Sequence, residues 1–185
     1  MPAVAQDTRG SWVFARAGAT KVRLTGGEPT LRRDLTQICG AIAALPGVES
    51  VGVTTNGINL LRKEGAGALL DNLVDAGLTS VNLSLDSLDA TKFAALTRRP
   101  GKTLDRVLRA VDACAAHATL KTKVNCVVMR GAHDDELGVG RRLGRAVLAV
   151  LALQPPAGDV QLVERGRLVV DARDGGDEGD DATDR

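Results

Sequence analysis

Between residues 21 and 128 the chain repeats one alternation. Short runs with apolar residues at about every second position give way to longer stretches with apolar residues three and four apart. The short runs are KVRLT from Lys21, SVGVTT from Ser50, SVNLSLD from Ser80 and KTKVNCVV from Lys121. The longer stretches include LRRDLTQICGAIAAL, where Leu31, Leu35, Ile38, Ile42 and Leu45 share a helical face. GALLDNLVDAG and TLDRVLRAVDACAAH follow the same spacing, and Gly77 is a natural helix stop. Strands alternating with helices predict a parallel sheet built from βα units.

The parity of the strands adds to this. Val22 and Leu24 oppose Lys21, Arg23 and Thr25, and Val51 and Val53 oppose Gly52 and Thr54. Val81, Leu83 and Leu85 oppose Asn82, Ser84 and Asp86, while Thr122, Val124 and Cys126 oppose Lys121, Lys123 and Asn125. Parallel strands covered on both faces are almost continuously apolar, and a packed barrel interior is dominated by Val, Ile and Leu. Four half-polar strands therefore predict an α/β fold of another kind: an incomplete parallel β/α barrel with a polar interior. An open sheet with one solvated face is the alternative, and it is rare for parallel strands.

Outside this unit the pattern weakens. Residues 1–12 read as a flexible N-terminus, 13–150 as the partial barrel and 151–185 as a divergent, largely irregular tail. ELGVGRRLGRAVLAVLAL, from Glu136, reads as one more helix weakened by Gly138, Gly140 and Gly144. QPPAGD is a turn, and VQLVERGRLVV reads as a small hairpin around Arg165 and Gly166. The acidic, glycine-rich DARDGGDEGDDATDR has the composition of a disordered tail.

Composition narrows the function. With 185 residues, 44% hydrophobic and 25% charged, the chain suits one soluble domain with a real core. A net charge of +1 and 2% aromatic residues argue against nucleic acid as a partner. No apolar run approaches the roughly 20 residues that span a bilayer, and MPAVAQDTRGSW lacks the apolar core of a secretory signal. The expected setting is soluble and intracellular: the cytoplasm, or the mitochondrial matrix in a eukaryote. Cys39, Cys114 and Cys126 form no C-x-x-C pair, so they read as buried thiols in a reducing compartment and not as metal ligands.

The most distinctive residues, TGGEP, TTNG, SLDS and MRG, fall at the strand ends, where βα folds bind ligands. In KVRLTGGEPTLRRDL a strand runs into two glycines, an acid and a proline, so the chain turns sharply and exposes backbone N–H groups. Gly26 and Gly27 thus sit at the rim of a candidate site.

In order and spacing, TKVRLTGGEPTLRRDL, VGVTTNGINL, VNLSLDSLDATKF and KVNCVVMRGAHDDE resemble the GTP 3′,8-cyclases of molybdenum-cofactor biosynthesis, radical S-adenosylmethionine (SAM) enzymes of the MoaA type. The likeness covers about residues 13 to 137. It implies an incomplete barrel that uses SAM and 4Fe–4S clusters to convert GTP to (8S)-3′,8-cyclo-7,8-dihydroguanosine 5′-triphosphate. It further implies SAM contacts at Gly27 and Ser84, and GTP contacts at Arg23, Thr54 and Lys123. Glu28 either receives the SAM amino group or caps the next helix. The downstream cyclic pyranopterin monophosphate synthase would be a partner. Arg23 and Lys123, inward-facing cations, suit a triphosphate, and the Thr54 and Ser84 hydroxyls suit polar ligand groups.

The chain departs from that pattern. It has no C-x-x-x-C-x-x-C loop before Trp12 and no later cysteine trio, and the reading places no final barrel strand after residue 137. No metal ligands and no catalytic residue are therefore assigned, and the resemblance predicts an inactive fragment of such an enzyme. The alternatives are a non-catalytic nucleotide-binding remnant, or another radical SAM enzyme such as a peptide maturase.

Overall fold

The computed structural model describes residues 3–129 and 148–154. Its centre is a sheet of five strands, β1 (Lys21–Leu24), β2 (Ser50–Thr55), β5 (Ser80–Ser84), β6 (Lys121–Met129) and β7 (Leu148–Gln154). They lie in the order β1-β2-β5-β6-β7, each parallel to its neighbour. A two-stranded antiparallel ribbon, β3 (Lys63–Glu64) and β4 (Gly67–Ala68), stands apart from it.

Helices connect the strands: α2 (Leu35–Ala43), α3 (Leu69–Asp75), α4 (Ala90–Thr97) and α5 (Leu104–Ala116). Their apolar faces cover one side of the sheet. Val22, Val51, Val53, Val81, Leu83 and Val124 meet Leu35, Ile38, Ile42, Leu73, Val107 and Val111 in a single buried cluster. Burial of apolar surface at about 25 cal/mol per Å² makes this layer the main stabilising element. The opposite parity stays half-buried or exposed at Arg23, Thr54, Asn82, Ser84, Lys123 and Asn125. The fold is thus an α/β parallel sheet in which β1, β2, β5 and β6 present one apolar and one polar face. It does not close into a barrel, because β1 and β7 have no strand on their outer sides among the described residues.

Four expectations need correction. Leu31, expected on the apolar helical face, lies in the 3-10 turn Pro29–Leu31 ahead of α2 and is exposed, and Cys126, expected as a buried thiol, is half-buried. Residues 3–16 form helix α1 (Ala3–Arg16), where residues 1–12 were expected as a flexible N-terminus and 13–16 as part of the barrel. It lies against α2, buries Ser11, and leaves Trp12, Val13 and Phe14 exposed. Packing against a neighbour stabilises a helix that local propensity alone would leave marginal. The helix expected through Leu153 is also replaced: Leu148–Gln154 is a strand paired along its whole length with β6. A short apolar run such as LAVLAL fits either periodicity, and here it pairs the outer edge of β6, which would otherwise be open. A fifth strand therefore does follow residue 137, although it contains no methionine. The expected turn at 154–159, the hairpin and the acidic tail lie outside the described residues, apart from Gln154.

Candidate functional site

Register places the polar-face residues in rows across the sheet. Arg23 pairs with Gly52, Gly52 with Ser80, and Ser80 with Lys121. The next row runs Thr54, Asn82, Lys123, and the row beyond joins Ser84 to Asn125. The three sequence-predicted GTP residues, Arg23, Thr54 and Lys123, thus share one face. Three strand spacings of about 4.8 Å and a two-residue offset along β6 put roughly 16 Å of backbone between Arg23 and Lys123. The two cations flank the intervening Thr54 and Asn82.

Arg23 owes its position to a missing side chain. A methyl group on Gly52 would come 2.7 Å from the Ser80 hydroxyl and 3.3 Å from Arg23 Nη1. The guanidinium therefore lies across the bare backbone of Gly52. Arg23 Nη1 is buried with no hydrogen-bond partner in the structure, and a buried unsatisfied donor costs about 1–3 kcal/mol. Gly52, Ser80 and Asn82 were not singled out from sequence. Their strand parity was the available signal.

At the carboxyl ends of β1 and β2 the chain makes two turns. Gly26 has φ +152, a backbone angle that side chains disfavour. Gly26 and Gly27 are exposed, with open space where side chains would stand. Ser84 is exposed at the end of β5.

Glu28 caps the short 3-10 turn Pro29–Leu31. Its Oε1 accepts from the Thr30 N–H at 3.1 Å, the Thr30 hydroxyl and the Thr55 hydroxyl at 2.6 Å. Its Oε2 accepts from the Asn56 N–H at 2.8 Å. The capping role, one of the two sequence alternatives, is therefore present in the geometry. The turn is also held from a third side. Asn59 Nδ2 donates to Thr30 Oγ1, and Arg62 donates to the Thr30 carbonyl and to Glu64.

A 4Fe–4S cluster does not fit the thiols of this chain. Cys39 and Cys114 are fully buried on α2 and α5, and burial pushes their thiols up to about 11 and about 12. Cys126 stands on β6 and donates to the Asp86 carbonyl at 3.5 Å. Among the described residues no group of three or more His, Cys, Asp or Glu is placed to hold a metal ion. No helix among them is long and apolar enough to cross a membrane.

Fold and site define an α/β protein with a parallel sheet, whose polar face and carboxyl-edge turns form the candidate ligand site. The profile of the radical SAM superfamily matches residues 10–139, and the chain belongs to that superfamily. It is 46% identical over 125 residues to the mitochondrial GTP 3′,8-cyclase of Arabidopsis thaliana, covering 68% of this chain and 30% of that one. It is 45% identical over 124 residues to a GTP 3′,8-cyclase of Pseudomonas putida strain F1, covering 67% of this chain and 35% of the relative. It is 45% identical over 125 residues to the molybdenum cofactor biosynthesis protein moc-5 of Caenorhabditis elegans, covering 68% and 19%. The chain thus spans about a third or less of these three relatives. A solved structure of TYW1 with a lysine-pyruvate adduct bound superposes with a TM-score of 0.53 at 19% identity. That match covers 84% of this chain and 53% of the other, and it supports the fold alone.

Proposed function

We propose that the chain is the central part of a GTP 3′,8-cyclase of molybdenum-cofactor biosynthesis and that it binds GTP on its polar face. The observation that carries this reading is that Arg23, in one cross-strand row, and Thr54 and Lys123, in the next, have the same strand parity and so lie on one side of the sheet. Its relatives of that name support the choice of nucleotide. Arg23 and Lys123 would hold phosphate oxygens by charge-assisted hydrogen bonds, and Thr54 would orient a polar group between them. SAM would lie at the carboxyl edge, against the open turn at Gly27 and the exposed hydroxyl of Ser84. The three thiols do not suit a cluster, so no cleavage of SAM is derived for this chain. The reading for the chain as it stands is nucleotide binding.

Calorimetric titration of GTP into the wild type and into Arg23→Ala/Lys123→Ala tests it. Each well-placed charge-assisted contact contributes about 1.5–3 kcal/mol. Measurable heat from the wild type and none from the double variant is the expected result. Equal heats would remove the site.

A further inference from the structure

We propose that Glu28 is a positioning residue: its carboxylate locks the turn after β1 to the end of β2, and it does not receive the amino group of a ligand. The ligand arm of the argument rests on the SAM reading above; the structural arm does not.

Glu28 links two motifs nearly thirty residues apart in sequence, GGEPT and TTNG. Its donors come from both: the amide and hydroxyl of Thr30 on one side, the hydroxyl of Thr55 and the amide of Asn56 on the other. A carboxylate offers about four lone-pair sites, and four donors are in place without any ligand: three crowd Oε1 and one reaches Oε2, which keeps one site. The setting is enclosed: Thr30 is 0% and Thr55 2% exposed. Buried polar groups need their partners, and Glu28 is the shared acceptor for both side chains.

The geometry also says which substitution is disruptive. Each carboxylate oxygen faces one backbone N–H, Oε1 that of Thr30 and Oε2 that of Asn56. Hydroxyls can rotate to accept a hydrogen bond, but a backbone N–H can only donate. A glutamine therefore sets its NH₂ against a fixed donor in either orientation of the amide. A shorter aspartate falls one methylene short of β2. What Glu28 holds in place is the spacing between the open Gly26–Gly27 turn and Thr54, the residue before Thr55. Those are the positions assigned to cofactor and substrate.

The test uses the full chain as wild type, Glu28→Gln and Thr55→Val. Without ligand, amide hydrogen exchange at Thr30 and Asn56 should speed up at least about tenfold in Glu28→Gln, while Val81 and Leu83 in β5 keep wild-type protection. Unchanged exchange at Thr30 and Asn56 overturns the proposal. If Glu28→Gln loosens the whole domain, Thr55→Val decides: it removes one donor to the carboxylate and also the acceptor of the Gly57 N–H, so the change at Thr30, on the other side of Glu28, is the reading that counts. It should speed the same two amides by a smaller factor, and no change at Thr30 overturns the proposal. With ligand, affinities for SAM and for 5′-methylthioadenosine, which lacks the amino acid part, should fall by the same factor in Glu28→Gln. A loss confined to SAM overturns positioning in favour of direct contact. If neither compound binds the wild type, the cofactor reading fails, and the exchange experiment still decides the role of Glu28.

Discussion

The guanidinium of Arg23 lies over the bare α-carbon of Gly52, its registered partner on the neighbouring strand. The atoms a methyl group would meet there are the Ser80 hydroxyl and the far end of Arg23, and both can move. Gly52→Ala is therefore expected to fold, with a stability change within about 1 kcal/mol, since alanine also removes the conformational freedom of glycine from the unfolded chain. Arg23, however, has to shift by a few tenths of an ångström. GTP affinity should fall severalfold, up to about 10-fold, as one charge-assisted contact is weakened. Thermal melting beside GTP titration checks this. An unfolded variant, or a folded one with wild-type affinity, counts against it.

Neighbouring residues of β5 should differ sharply in what they contribute. Leu83 is 0% exposed in the helix-covered core, while Ser84 points to the other face and is exposed. Leu83→Ala removes buried methyl groups and leaves a cavity, at a cost of about 2–5 kcal/mol. Ser84→Ala should stay within about 0.5 kcal/mol. Urea unfolding of both variants gives the comparison, and similar losses would contradict the assignment of faces.

That difference was legible in the sequence, because a period of two separates Leu83 from Ser84 without any tertiary information. The same signal located β1, β2, β5 and β6 and put Arg23, Thr54 and Lys123 on one side. Helix α4 was missed, although Asp89 caps it by accepting from the amides of Thr91 and Lys92. Only Phe93 of that helix is buried, so no apolar stripe announced it. The contact of Arg23 with Gly52 and the span from Glu28 to Asn56 depend on register and on how two turns meet. No local pattern encodes either. Residues 148–154 misled the reading because their apolar run carries no period, and pairing with β6 decided its form.

The buried thiols carry a pH dependence. In the folded chain burial raises Cys39 to about 11 and Cys114 to about 12, against an ordinary value of 9.0. As pH rises past 9 the unfolded chain loses these protons first, so it binds fewer protons than the native state. Stability then falls with pH, from about 9 until the folded thiols titrate near 11 to 12. Urea unfolding across that range should show the decline, and it should be shallower in Cys39→Ala/Cys114→Ala. An equal slope in both proteins would refute the assignment. At neutral pH an alkylating reagent should modify Cys126, which is only half-buried, before the other two.

The same chemistry bears on iron. Cluster sulfur ligands must be thiolates that converge on one point. Cys39 and Cys114 are held as thiols inside the helical layer, on α2 and α5, and Cys126 hydrogen-bonds from β6 to the Asp86 carbonyl. To bring the three together the chain would have to open its core. Each buried cysteine also behaves as a small hydrophobic group there, so its removal from the core adds to the cost of deprotonation. Anaerobic incubation of the full chain with ferrous iron and sulfide, followed by desalting, should therefore leave far less than one cluster per chain. No broad visible thiolate-to-iron absorption should remain, and Cys39→Ala/Cys114→Ala should retain the same small amount of iron as the wild type. Retention of a full cluster's iron by the wild type, lost in that variant, would mean that the two buried thiols do leave the core.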